Sequence, residues 1–259
     1  MPDYLDILAC DAKETVNEGY YIVSTRNVEP KISLRKAILD SKRNAVITEV
    51  KAASPSRGDI RTNFDAAEVA KAMKAGGATA ISVLTEPKHF SGSLNNLTKV
   101  REAVGLPIIM KDIIISPVQL EAAAKTGANA ILLIEAVFER GYCELGLEEM
   151  ISQAHTRNLE VLLETHNEKE FQSATKTDAD LVGINNRDLR TLEVNVRITQ
   201  KILQNNESGG KVVVTESGIM TASDLIFLRK CGAQAFLIGS SIMTANNIEK
   251  TVKEFVAAH

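Results

Sequence analysis

Met73-Lys74-Ala75-Gly76-Gly77-Ala78-Thr79-Ala80-Ile81-Ser82-Val83-Leu84 is the stretch on which the fold turns. A helical pattern over 66–75 stops at the two glycines, and an apolar run over 80–84 reads as a strand. The same junction returns at Thr126-Gly127-Ala128 and at Cys231-Gly232-Ala233. Glycine there supplies the left-handed residue that ends a helix without a Cβ clash.

Outward from that junction, strands are expected at 45–50, 80–84, 107–110, 130–134, 160–164, 181–184, 211–214 and 235–238. Helical patterns follow them at 66–75, 95–103, 117–126, 145–156, 168–174, 197–203, 222–230 and 248–255. Eight β/α units without a hairpin signal require parallel strands. Their number fits closure into a single α/β domain, a (β/α)8 TIM barrel over residues 45–259, better than an eight-stranded doubly wound sheet. Residues 1–44 stand outside the repeat and read as an N-terminal helical extension, with helices at 5–17 and 33–42. That extension either covers the barrel floor or forms a lid over the opposite mouth; pattern alone does not choose.

Composition narrows the function. The 259 residues are 44% hydrophobic and 24% charged, too apolar for a disordered chain. A net charge of -3 argues against a nucleic-acid partner, which needs clustered Lys and Arg to neutralise phosphates. No apolar run is long enough to span a membrane and the first residues lack a signal-peptide pattern, so a cytoplasmic protein is expected, with no membrane partner. Cys10, Cys143 and Cys231 are far apart and unpaired by spacing, and read as reduced thiols. No two histidines have metal-ligand spacing, so no metal is expected.

In a β/α barrel the chemistry sits where strands end. The first strand delivers Glu49 and Lys51, which share a face by the period of two, while Val50 points to the helices. The third delivers Lys111 and Asp112, the fifth Glu164, and the sixth Asn185, Asn186 and Arg187. Glu216-Ser217-Gly218 and Gly239-Ser240-Ser241 end the seventh and eighth. Lysines are rarely buried unpaired, so these tips either close the barrel with ion pairs or receive an anionic ligand. Ionisable tips on several strands at once favour the ligand. Gly218, Gly239 and Ser240 have the character of a phosphate cradle, in which backbone N–H groups face the anion. Phe90, in a polar loop of a chain with 4% aromatics, is a candidate wall for a planar ligand. His166, after the fifth strand, carries little signal by itself.

Seven ordered blocks now identify a family: 48–58 with its Glu49-Val50-Lys51-Ala52-Ala53-Ser54-Pro55-Ser56, 90–93, 110–112, 163–164, 183–189, 215–219 and 236–241. Over nearly its whole length the chain resembles indole-3-glycerol-phosphate synthase. The resemblance implies a carboxy-lyase of tryptophan biosynthesis. Its reaction is ring closure of 1-(2-carboxyphenylamino)-1-deoxyribulose 5-phosphate to indole-3-glycerol phosphate, with loss of CO2 and water, needing no cofactor. By motif position, Lys111 would be the general acid at the carbonyl oxygen. Lys51 would hold the substrate carboxylate or act as the acid of dehydration. Glu164 would be a base or stabilise a cationic intermediate, with Glu49, Asn185 and Ser217 completing the catalytic set. Gly218, Gly239, Ser240 and Arg187 would take the phosphate; Ser54 and Phe90 would line the anthranilate side. The partner is then a small phosphorylated substrate, and a monomer is expected. Ala52 departs from the basic residue usual after the lysine, on the face turned from the mouth. Phosphoribosylanthranilate isomerase shares the barrel but uses a cysteine and an aspartate, and here the first strand ends in Glu-Val-Lys. A non-catalytic phosphometabolite-binding barrel is the other alternative, disfavoured by the full set of ionisable tips.

Overall fold

The computed structural model describes residues 3–24, 32–54, 58–61 and 63–259. Eight strands form a closed parallel barrel: β1 (Ala45–Val50), β2 (Ala80–Leu84), β3 (Ile108–Lys111), β4 (Ala130–Ile134), β5 (Glu160–Thr165), β6 (Leu181–Asn185), β7 (Val212–Glu216) and β8 (Ala235–Ile238). Each strand pairs with its sequence neighbour, and β8 closes on β1 with Thr48 beside Ile238. Seven of the eight expected strands overlap the observed ones to within a residue at either end; β3 and β7 each begin one residue later, after Pro107 and Lys211.

Strand alternation divides the core into two parts. Ile47, Ile109, Leu132, Leu162, Leu181, Val214 and Leu237 fill the barrel interior. Val46, Val83, Met110, Leu133, Val161, Ile184 and Phe236 point outward to the helices. Val50 joins the outer set, so Glu49 falls on the inner face as expected. The glycine junctions behave as read: Gly77, Gly127 and Gly232 have φ of 93°, 95° and 110°. Gly76 beside them is needed for a different reason, because a Cβ there would lie 2.6 Å from that of Val252 on the last helix.

The extension does both things left open by its pattern. Its first helix, α1 (Tyr4–Asn17), is started by a capping box between Asp3 and Asp6. It lies over the C-terminal mouth, with Tyr4, Leu5 and Leu8 facing the cavity there. Its second, α2 (Leu34–Leu39), closes the floor: Ser33 donates to Glu160, the first residue of β5, and the Arg35 N–H donates to the same carboxylate at 2.9 Å. Leu34 and Ile38 complete the interior core from below. Among the described residues no helix is long and apolar enough to cross a membrane.

Candidate active site

The mouth opens into a cavity of about 510 Å³ lined by residues from every side of the barrel. Of the residues singled out from sequence, Glu49, Lys51, Phe90, Lys111, Glu164, Asn185, Arg187, Ser217, Gly218, Gly239 and Ser240 all line it. Ser54 lies just beyond β1 in a two-residue strand paired with Gly58; its side chain, and residues 55–57, fall outside the described set.

Lys111 is the centre of the polar half. Its ammonium lies 2.7 Å from Glu216 Oε2, 3.7 Å from Glu49 Oε1 and 3.8 Å from Glu164 Oε2. Glu49 is also paired with Lys51 at 2.6 Å. Asn185 donates its amide to Glu164 Oε1 at 3.0 Å and accepts the Arg187 N–H through Oδ1, also at 3.0 Å. All three carboxylates are almost fully buried. Such a cluster survives out of water only with matching cations.

The ionisation states follow from how the cations are shared. Burial works against the Lys111 charge, but Glu216, Glu49 and Glu164 more than offset it and hold the amine above its ordinary range. Burial would raise Glu49, and the charges of Lys51 and Lys111 outweigh it, leaving that carboxyl below its usual value. Glu216 is the odd one out: burial pushes it up to about 7 although it touches Lys111. The contrast has a geometric cause. Three carboxylates compete for one ammonium, Glu49 has Lys51 besides, and Glu216 Oε1 is buried with no hydrogen-bond partner among the described residues. The proton that this cluster binds most readily therefore belongs on Glu216.

The apolar half comes from Leu5, Leu8, Phe90, Ile113, Leu132 and Ile134. The loop carrying Phe90 is shaped by Glu86, whose carboxylate accepts the N–H groups of Lys88, His89 and Phe90 at 2.7 to 3.0 Å. Gly92 is required beneath it, since a Cβ would sit 2.7 Å from the Leu84 and Glu86 carbonyls.

At the opposite side, Ser217 and Gly218 take φ of 62° and 83°, and a Cβ on Gly218 would come 2.7 Å from Val194. Asn186, fully buried, accepts from Thr199 and donates towards Thr215 Oγ1 and the carbonyls of Glu216 and Ser217, fixing this turn. A short helix, Ser240–Met243, starts after Gly239 with its first residues at the cavity. Ser241 donates to the Ile219 carbonyl at 3.0 Å and ties the two loops together.

Three residues carry more than their sequence suggested. Glu216 reaches Lys111 more closely than Glu49 or Glu164 does, and the alternation that places Val214 inside the barrel points to it. Asp112 turns away from Lys111, accepting the Tyr21 hydroxyl at 2.9 Å and that of Thr85. His166 packs against Glu164, a contact that a lone histidine after a strand does not announce.

A closed β/α barrel with buried acids and bases at its C-terminal mouth is an enzyme scaffold. Solved structures agree on the fold: thiamine phosphate pyrophosphorylase from Pyrococcus furiosus superposes with a TM-score of 0.60 at 17% identity, covering 86% of this chain and 96% of that one. The N-acetylmannosamine-6-phosphate 2-epimerase from Clostridium perfringens gives 0.62 at 16%, over 83% and 93%. Sequence similarity is narrower. A family model described as indole-3-glycerol phosphate synthase matches residues 8–255. Proteins of that name are 44% identical in Methanocaldococcus jannaschii, over 87% of this chain and 84% of the relative, and 35% identical in Desulforamulus reducens, over 94% and 91%. In Neisseria meningitidis the figure is 45%, over 80% and 78%. The chain belongs to the indole-3-glycerol phosphate synthase family.

Proposed function

We propose that this chain closes the indole ring of indole-3-glycerol phosphate from 1-(2-carboxyphenylamino)-1-deoxyribulose 5-phosphate, releasing CO2 and water. The observation that carries this reading is the gathering of Lys51, Lys111, Glu49, Glu164 and Asn185 in one cavity that also has an apolar wall. The substrate carries a phosphate, a carboxylate, an aryl ring and a ketone, and each finds a matching surface.

The phosphate rests against the backbone of Gly218, Gly239 and Ser240 with Arg187 beside it, and the aryl ring lies by Phe90, with Ser54 on the same side. As the aromatic carbon bearing the carboxylate attacks the ketone carbon, the π electrons of the carbonyl move to its oxygen. Lys111, held as the ammonium, gives that oxygen its proton. A developing alkoxide is far more basic than an amine, so the transfer runs downhill even from a lysine whose proton is tightly held. CO2 then departs and leaves its bonding pair in the ring. Lys51, which holds the carboxylate or serves as the acid of dehydration, lies on the Glu49 side. The hydroxyl leaves as water while Glu164 takes the proton whose loss makes the ring aromatic. Glu49, Asn185 and Ser217 keep these groups and the substrate hydroxyls in register. Acting on a phosphorylated intermediate, the chain works as a cytoplasmic monomer.

Incubation of the purified protein with the substrate, following the growth of indole fluorescence, tests the reading. Turnover that collapses in Lys111→Met supports it. Ligand binding by the folded wild type without any fluorescence would favour a non-catalytic barrel and overturn it.

A further inference from the structure

His166, two residues on from Glu164 just past the end of β5, lies between two carboxylates. Its Nε2 is 3.1 Å from Glu164 Oε1 and its Nδ1 is 3.2 Å from Glu170 Oε2. The ring is largely buried, and among the described residues Nε2 has no aligned hydrogen-bond partner, so its relation to Glu164 is one of charge and proximity. Glu170 is itself anchored. The same oxygen accepts the His166 backbone N–H at 2.7 Å, the other accepts the Asn167 amide, and the Glu170 N–H returns to Asn167 Oδ1 at 3.0 Å. Asn167 already caps the helix Glu168–Ala174, so Glu170 is left to face the imidazole.

We propose that His166, gripped by Glu170, is a positioning residue that keeps Glu164 as the carboxylate for the proton removal assigned to it above. The inference rests on that assignment. With Asn185 and His166 both against Oε1, the oxygen left towards Lys111 and the reacting centre is Oε2. A ring flanked by two acids is stabilised as the imidazolium: burial opposes the charge, but Glu164 and Glu170 raise the imidazole to about 9. In return, burial would raise Glu164, and the adjacent His166 ring together with the Lys111 charge outweighs it and holds the carboxyl far below its usual range. The other charges that act on Glu164 are those of Glu49 and Glu216. Glu135, Glu139 and Lys169 line a smaller cavity beside Glu170. None of these supplies Glu164 with a second cation at the distance of His166.

The test pairs a titration with kinetics. NMR of the four histidines in the wild type and in Glu170→Gln should show one ring titrating well above the ordinary range, near 6.5, and falling when Glu170 loses its charge. A His166 ring that titrates at or below the ordinary value overturns the proposal, whether or not any His166 variant folds. In His166→Gln, the acid limb of kcat should move up by about 1 to 3 pH units, as expected when an opposite charge a few ångströms away is removed. KM and the plateau at high pH should change little. A structural role alone would lower kcat at every pH and leave the limb in place, which would also overturn it. A wild type that binds the substrate without turning it over would instead count against the reading of the reaction, while the histidine titration still decides this one.

Discussion

Lys111 and Glu216 stand four strands apart in a ring of eight, on opposite walls of the barrel, and their charged atoms meet at 2.7 Å over its centre. This contact spans the mouth and gathers Glu49 and Glu164 around the same ammonium. Lys111→Met removes the cation that the three acids share. Turnover should fall by about 10²- to 10⁴-fold, the range of a lost general acid. Substrate affinity, measured by titration calorimetry, should persist through the phosphate and aryl contacts. Loss of both together would mean that Lys111 serves binding rather than chemistry.

Asp112 offers a pH test separate from catalysis. It is buried beneath the Tyr21 and Thr85 hydroxyls, and burial pushes its carboxyl up to about 7. Unfolded, it would titrate near 3.9. Between those values the folded protein keeps a proton that the unfolded chain has released, so stability falls as pH rises through this window. The penalty is absent below about pH 4 and complete above about pH 7. Asp112→Asn should flatten the difference in urea midpoint between pH 5 and pH 8. An unchanged difference would place the titration elsewhere.

The helix over the mouth is held by polar contacts that can be cut one at a time. Arg140 pairs with Asp3 and Asp6 at 2.6 to 2.8 Å, and the Tyr142 hydroxyl donates to Asp6 at 2.9 Å. On the other side of the helix, His89 Nε2 lies 2.6 Å from Asp11 Oδ2. Exposed pairs contribute about 0–1 kcal/mol each, so Arg140→Ala should loosen α1 without unfolding the barrel. Tyr4, Leu5 and Leu8 would then line the cavity less of the time. KM should rise several-fold with kcat nearly unchanged, and amides of 4–17 should exchange faster with solvent. Unaltered exchange there would show that the apolar contacts of Leu5 and Leu8 suffice.

The barrel was legible in the sequence because its two signals are local: the glycine that ends a helix and the apolar run that follows. The strand tips followed from the same register, which is why Glu49, Lys51 and Lys111 fall where expected. What escaped depends on contacts between distant segments. The pairing of Glu216 with Lys111 needs the curvature that brings β3 and β7 face to face, and the Tyr21 to Asp112 bond spans 91 positions. The short helix Glu135–Glu139 was hidden for a different reason, being too brief to show a period. The extension divides between mouth and floor because Asp3 and Asp6 find Arg140 while Ser33 finds Glu160, and no property of residues 1–44 alone contains either partner.

Gly239 tests whether the site depends on space as well as on charge. Its sequence context gives it only backbone to lend to a phosphate, but its α-carbon also lies against the Glu49 and Lys51 pair. A Cβ there would collide with Glu49 Oε2 and sit 3.0 Å from Lys51 Nζ. Its φ of -112° is open to any residue, so Gly239→Ala introduces no backbone strain. The obstacle is the end of a side chain, which can yield, so the fold should survive with its melting temperature little changed. Glu49 is nonetheless confined between Lys51 at 2.6 Å and Lys111 at 3.7 Å, and any retreat moves both lysines. A displacement near 1 Å in a site of this kind costs about 10²-fold in rate. Gly239→Ala should therefore lose kcat to about that extent while its circular dichroism matches the wild type. A variant that loses affinity for inorganic phosphate while keeping kcat would show instead that the glycine serves the anion alone.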